Sequence, residues 1–208
     1  MRKNCLFSTF LTIFLLSSFI LAFPAWVIGS NQAVPVHNIS MRFDLQNHQL
    51  TATSRIELPA GMSINLFLDH LYISQIKITG QPVDAEPQET KSLQLSAADQ
   101  DREIIVTYSQ VHEPGMVPFD LISDAGITLT GNWYPIADRE MLFKLTAQVP
   151  KDFEAISEAE DIVTFMVDGS KQITFRFPHP LYGINFVAGP YVMTEETFGD
   201  RIRIQWNL

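Results

Sequence analysis

From His37 onward, apolar and polar side chains alternate. Ile39, Met41, Phe43 and Leu45 stand at every second position with Ser40, Arg42 and Asp44 between them. That is the period of a strand with one buried and one wet face. After a polar break at 46–49, Leu50, Ala52, Ile56 and Leu58 resume the period, so the two runs predict an antiparallel hairpin. Pro59-Ala60-Gly61 turns the chain toward a third strand carrying Ile64, Leu66 and Leu68. Residues 71–79 continue in strand-like fashion, but the phase slips between Ile73 and Ile76, as a bulge would make it, and Gly80 ends the run.

The second half keeps the pattern with more punctuation. Residues 81–90 are rich in proline and acid and predict a surface loop, and strands are expected at 92–95 and 103–108. Between Val111 and Gly126 the pattern dissolves around Pro114, Gly115 and Pro118, which predicts a long irregular loop. The stretch 131–150, GNWYPIADREMLFKLTAQVP, then leads through Trp133 and Tyr134 into a central strand with Phe143, Leu145, Ala147 and Val149 on one side. Asp138, Arg139 and Glu140 read as its polar start. Residues 151–161 are rich in Glu and Ala, yet only Phe153 and Ile156 could form an apolar stripe, so strand and turn are expected rather than helix. Residues 162–167 and 173–177 flank Asp168-Gly169, a dipeptide strongly favoured in tight hairpins. Strands at 187–193 and 202–206, parted by a turn at Gly199-Asp200, complete the series. The expected class is all-β, with about a dozen short strands in a sandwich or barrel.

The first thirty residues break this pattern. Arg2 and Lys3 precede an uncharged, largely apolar run from Cys5 to Ile28, the layout of an export signal. The run is also long enough to span a bilayer, which takes roughly 20 apolar residues. Residues 1–29 are therefore expected to be a signal peptide, cut after Gly29 or at the weaker sites Ala22 and Ala25, or else an N-terminal membrane anchor. A linker at 30–35 and a β domain at 36–208 follow, placed in the periplasm or outside the cell. The net charge of −9 becomes two units more negative without Arg2 and Lys3. So acidic a surface argues against nucleic acid and against an anionic membrane face. Cys5 is the only cysteine, so disulfides and thiolate-bound metals are not expected in the exported part.

Candidate chemistry is sparse. His112-Glu113 opens like a zinc-binding His-Glu-x-x-His helix, but Pro114 and Gly115 follow and no second histidine comes; a helix does not continue through that proline. His179 between Pro178 and Pro180 reads as a rim or packing histidine. There is no Gly-x-Ser-x-Gly elbow. Glu158, Glu160 and Asp161, like Glu195 and Glu196, cluster in sequence, as paired catalytic carboxylates would but also as solvated turns do. No catalytic, metal-binding or cofactor-binding residue is assigned, and no cofactor is expected. The aromatic residues Trp133, Tyr134, Phe175, Phe177, Tyr182, Phe186 and Tyr191 suit inter-sheet packing. A peptide- or carbohydrate-binding module using Trp133 and Tyr134 is the alternative.

Four segments together resemble one family. HNISMRFDL at 37–45, LFLDH at 66–70, LTAQVPKDFEAIS at 145–157 and FRFPHPLYGINFVAGPYVM at 175–193 are similar, in order and spacing, to the N-terminal β domain of the aminopeptidase N family (peptidase family M1). Trp133-Tyr134-Pro135 before the central strand resembles bacterial members in particular. The resemblance implies a saddle-like, largely antiparallel β-sandwich that packs over a zinc-bearing catalytic domain. That catalytic domain carries Gly-x-Met-Glu-Asn and His-Glu-x-x-His, and neither motif occurs in these 208 residues. The family's β-domain Gln or Glu, which faces the substrate amine in some members, has no match at 111–131. Together with the expected export signal, the resemblance implies an exported, non-catalytic domain, from a truncated or split gene or free-standing, that docks on a protein partner or domain.

Overall fold

The computed structural model describes residues 33–80, 90–112, 120–198 and 201–207. The expected signal or anchor, the loop at 81–89, the middle of the irregular segment at 113–119 and the Gly199-Asp200 turn lie outside the described residues. Ala33–Leu208 forms one compact unit. Among the described residues its regular structure is entirely strand, as the alternation predicts.

Strands β1 (Val36–Asp44) and β2 (Gln49–Leu58) form the expected hairpin. Ile39 and Met41 from one, with Leu50, Ala52, Ile56 and Leu58 from the other, point into the core. The Asp44 carboxylate shapes the turn by accepting the backbone N–H of Gln46 and Asn47 and the Asn47 side-chain amide. After β3 (Ile64–Phe67) comes β4 (Tyr72–Ile78), and the phase slip is a real bulge, with the pairing shifting between Ile73 and Gln75. Strand β5 (Ser92–Leu95) precedes β6 (Arg102–Val111), which runs longer than its apolar pattern suggests because it pairs with all of β2.

The irregular segment holds more order than its sequence implies. β7 (Leu121–Ser123) and β8 (Gly126–Leu129) form a small hairpin. Strands this short show no readable period, and Ser123 Oγ closes the turn by accepting the Ala125 N–H. β9 (Ile136–Ala137) pairs with β3, and Asn65 and Asp138 lock the join reciprocally: Asp138 N–H donates to Asn65 O, and Asn65 N–H to Asp138 Oδ1. Asp138, Arg139 and Glu140 thus link β9 to β10 (Leu142–Pro150) and do not begin that strand. β11 (Glu154–Ile156) confirms strand and turn where helix was the alternative.

β12 (Asp161–Val167) and β13 (Ser170–Arg176) meet at Asp168-Gly169, both at positive φ (51° and 78°), as a two-residue type I′ hairpin requires. A β-branched residue tolerates that left-handed geometry poorly, so Gly169→Val is expected to cost about 1–2 kcal/mol. Thermal unfolding should read this as a midpoint roughly 2–8 °C lower. The strand expected at 187–193 is divided. β14 (Phe186–Gly189) ends before Pro190, which has no N–H to donate, and β15 (Val192–Phe198) starts afresh to pair with β16 (Arg201–Asn207).

Seven strands make the main sheet in the order β12-β13-β10-β1-β2-β6-β4. Its pairs are antiparallel except for β1 with β10, which run parallel, Val36 beside Leu142 through Arg42 beside Gln148. Beside it stand a four-stranded sheet, β11-β14-β8-β7, and a three-stranded one, β5-β3-β9. One core joins all three. Phe186 of β14, for example, stacks on Phe43 of β1 at 5.7 Å and meets Phe175 of β13 edge-on at 6.1 Å.

Candidate functional site

The stretch 131–150 is built as an anchor. Gly131 and Asn132 both take positive φ (91° and 51°), which drops Trp133 and Tyr134 into the core, where both are buried. Their rings meet edge-on at 4.6 Å, and Tyr134 also meets Phe143 and His37 edge-on at 5.8 and 5.6 Å. Polar groups hold the loop in place. His70 Nε2 donates to Tyr134 O (2.9 Å), Gln110 Nε2 to Asn132 O (3.1 Å), and the Ile184 N–H to the Tyr134 hydroxyl (2.9 Å). Burial pushes the Tyr134 phenol up to about 12 against the Ile184 hydrogen bond, which works the other way, so it stays neutral. A buried pair cannot stack on a ligand, so Trp133 and Tyr134 are not the platform of a binding module. Phe175, Phe177 and Phe186 are buried as well, whereas Tyr182 is exposed.

Below this cluster lies a polar group that the sequence did not bring forward. His37 is wholly buried, with Nε2 2.9 Å from Ser54 Oγ, and Ser54 in turn donates to the Tyr108 hydroxyl at 3.4 Å. Burial drives the His37 imidazole down to about 3 and the Tyr108 phenol up, so both are neutral near pH 7. His37 Nδ1 has no hydrogen-bond partner. The triad resembles a relay in composition, yet it is sealed from solvent and faces no cleft. It pairs His37 Nε2, Ser54 Oγ and the Tyr108 hydroxyl inside the sheet, leaving only His37 Nδ1 of the three side chains unpaired.

A second buried pair brackets residues 113–119. His112 Nδ1 lies 3.9 Å from Asp120 Oδ2. Asp120 Oδ1 accepts both the backbone N–H and the hydroxyl of Thr130 at 2.8 Å. Burial lowers the His112 pKa while the Asp120 carboxylate works the other way. His48 Nδ1 donates to Ile122 O, tying β7 to the first hairpin. His179 is exposed, 3.8 Å from Glu160, at the rim as expected. His112 and His48 are neighbours, the His112 N–H donating to His48 O at 2.8 Å, but among the described residues no three His, Cys, Asp or Glu side chains converge on a point where a metal ion could sit.

The carboxylate cluster at 158–161 is structural. Glu158 accepts the backbone N–H of Asn185, its side-chain amide and the Ser157 hydroxyl. Partial burial opposes its charge, but these donors outweigh that and hold the carboxyl below its ordinary range. Asp161 pairs with Arg176 at 3.0 Å. Glu195 and Glu196 lie on β15, and their side chains fall outside the described residues. A shallow concavity of about 380 Å³ crosses the outer face of the main sheet, lined by Ser40, Arg42, Thr51, Thr107, Thr146 and Gln148 among others. Hydroxyls and amides there can hydrogen-bond, but no base stands beside a nucleophile.

No model of a known protein family matches the sequence, and no curated protein matches it. Solved structures do match. The crystal structure of the M1 zinc metallopeptidase from Deinococcus radiodurans aligns with a TM-score of 0.59 at 15% identity, over 83% of this chain and 46% of that one. The fold is shared with M1 zinc metallopeptidases. A mutant of the two-domain enzyme bound to L-arginine aligns with the same figures, and a mutant bound to a Tyr-Ser-Ala substrate with a TM-score of 0.58. The chain spans less than half the length of these M1 structures. The family resemblance carried by residues 37–45, 66–70, 145–157 and 175–193 is thus borne out in the fold.

Proposed function

We propose that this chain is an exported, non-catalytic β domain of the aminopeptidase type, which works packed against another protein or domain. The observation that carries the reading is the alignment itself: 83% of this chain falls on 46% of an M1 zinc metallopeptidase. The absence of His-Glu-x-x-His and Gly-x-Met-Glu-Asn from the 208 residues supports the non-catalytic part. The uncharged run behind Arg2 and Lys3 supports export to the periplasm or beyond, by a cleaved signal or an anchor. In this reading the buried Trp133, Tyr134 and His37 keep the sheet rigid, and the reacting groups belong to the partner.

The test is a peptidase assay on the purified full chain, with fluorogenic aminoacyl substrates and added zinc. No release above the blank is expected. Turnover that requires zinc, is abolished by a chelator and co-purifies with the chain would overturn the proposal.

A further inference from the structure

Among the described residues, strand β12 ends the main sheet with one neighbour, β13. From Ile162 to Val167 it carries no charge. Ile162, Phe165, Met166 and Val167 are 47, 61, 60 and 37% exposed. Sheet edges are normally blunted by lysine, proline or a bulge. The opposite edge of this sheet follows that rule, since β4 has Lys77 and a bulge at Ile73/Gln75. β12 has neither, and its pairing with β13 runs without a slip. An apolar edge left open on one side only points to an occupant.

The geometry points to which one. The two-residue turn makes Val167 and Ser170 a hydrogen-bonded closing pair. Alternation along the ladder then directs the backbone groups of Val163, Phe165 and Val167 toward β13, and those of Ile162, Thr164 and Met166 outward. Side chains divide the same way. Ile162 and Thr164 stand opposite the buried Phe175 and Ile173, whereas Val163 and Phe165 stand opposite Thr174 and Gln172 on the outer face. If a second strand of this sequence lies antiparallel about a two-fold axis at Thr164, Thr164 meets its own copy and Ile162 meets the second copy's Met166. Both are hydrogen-bonded pairs made by outward backbone groups. Val163 meets the second copy's Phe165 across the other face. Every pair within 162–166 is apolar or Thr–Thr, and such pairs stabilise sheets. No like charges oppose within that span; just beyond it the same register brings Glu160 toward the second copy's Asp168 at each end, a repulsion that keeps the pairing weak. A segment complementary to itself about its midpoint is what an isologous interface needs.

We propose that β12 is a dimerisation strand, through which two copies of this chain join antiparallel into one continuous sheet. One short edge strand paired with its copy is a smaller contact than the roughly 1,200–2,000 Å² of stable specific interfaces, so the dimer is a weak, reversible one. This inference does not depend on the aminopeptidase-like reading.

Thiol cross-linking of the full chain tests it. Apart from Cys5 the sequence has no cysteine, so a short thiol-to-thiol cross-linker reports on the position introduced. Thr164→Cys is expected to give a covalent dimer about tenfold more efficiently than Thr51→Cys on the interior strand β2, or than the unsubstituted chain. Adding Phe165→Lys, which puts a charge into the apolar pair, should remove most of that yield while the circular dichroism spectrum stays the same. Phe165 is exposed, so the variant is expected to fold. Equal yields from Thr164→Cys and Thr51→Cys would overturn the proposal and leave the edge to a strand of a different protein. A Thr164→Cys dimer indifferent to Phe165→Lys would overturn it too.

Discussion

Trp133→Ala is expected to cost about 3–5 kcal/mol, the range for deleting a large buried aromatic. Domains of this kind are stable by roughly 5–15 kcal/mol, so the loss is a large part of the whole. The side chain is completely buried and in contact with the Tyr134 ring, and Tyr134 carries the loop's bond to Ile184. A cavity at 133 therefore loosens the second aromatic as well as losing the first. Two companion variants separate packing from hydrogen bonding. The Trp133 indole N–H has no partner, so Trp133→Phe removes an unpaired buried donor along with part of the ring, and its net cost should be well below that of alanine. Tyr134→Phe does the reverse. It leaves the buried Ile184 N–H unpaired with almost no change in volume, at about 1–3 kcal/mol. Urea unfolding followed by circular dichroism measures all three. A Trp133→Ala protein within about 1 kcal/mol of the parent would show that this anchor is not organising the core.

These side chains also show what the sequence could and could not reveal. Burial of Trp133 and Tyr134 was readable from their place just before an alternating strand, and so was the I′ turn at Asp168-Gly169. The parallel alignment of β1 with β10 was not readable. The period of a strand says which face is wet, but nothing about which strand lies alongside or in which direction. β7 and β9, three and two residues long, are below the length at which a period exists.

The buried polar group does leave a signal in the sequence. His37 occupies the inward phase shared by Ile39 and Met41, and Ser54 the inward phase shared by Ala52 and Ile56. Two polar residues on the dry phase of adjoining strands predict that they satisfy one another, as they do. His112 and Asp120 left no comparable signal. They sit at either end of 113–119, where alternation fails, and their proximity is a product of tertiary folding. The open edge at β12 was half legible: a run without charge was visible, but not that it would be the last strand of its sheet.

His37 should make this domain acid-sensitive in a window that carboxylates do not explain. Its surroundings are Ser54 and the rings of Tyr134 and Phe143, with no anion to compensate a proton, and burial holds its pKa at about 3 against an ordinary 6.5. The unfolded chain takes up a proton below pH 6.5 that the folded chain refuses until about pH 3. The contribution is therefore complete above pH 6.5 and is lost progressively as the pH falls toward 3, at about 1.4 kcal/mol per pH unit. Between pH 6.5 and 5 this amounts to roughly 2 kcal/mol from His37. His112 adds in the same direction, weakened by Asp120. Unfolding free energies at half-unit steps from pH 7.5 to 5 give the slope, and His37→Gln supplies the comparison, since glutamine can still hydrogen-bond Ser54 but does not titrate. The variant will be less stable near neutrality. Its curve should nevertheless be flatter than the parent's by about 1.4 kcal/mol per pH unit below pH 6, so that the two converge as the pH falls. Parallel curves would mean that the imidazole is protonated in the folded state, which this environment forbids unless the strands around it open to water.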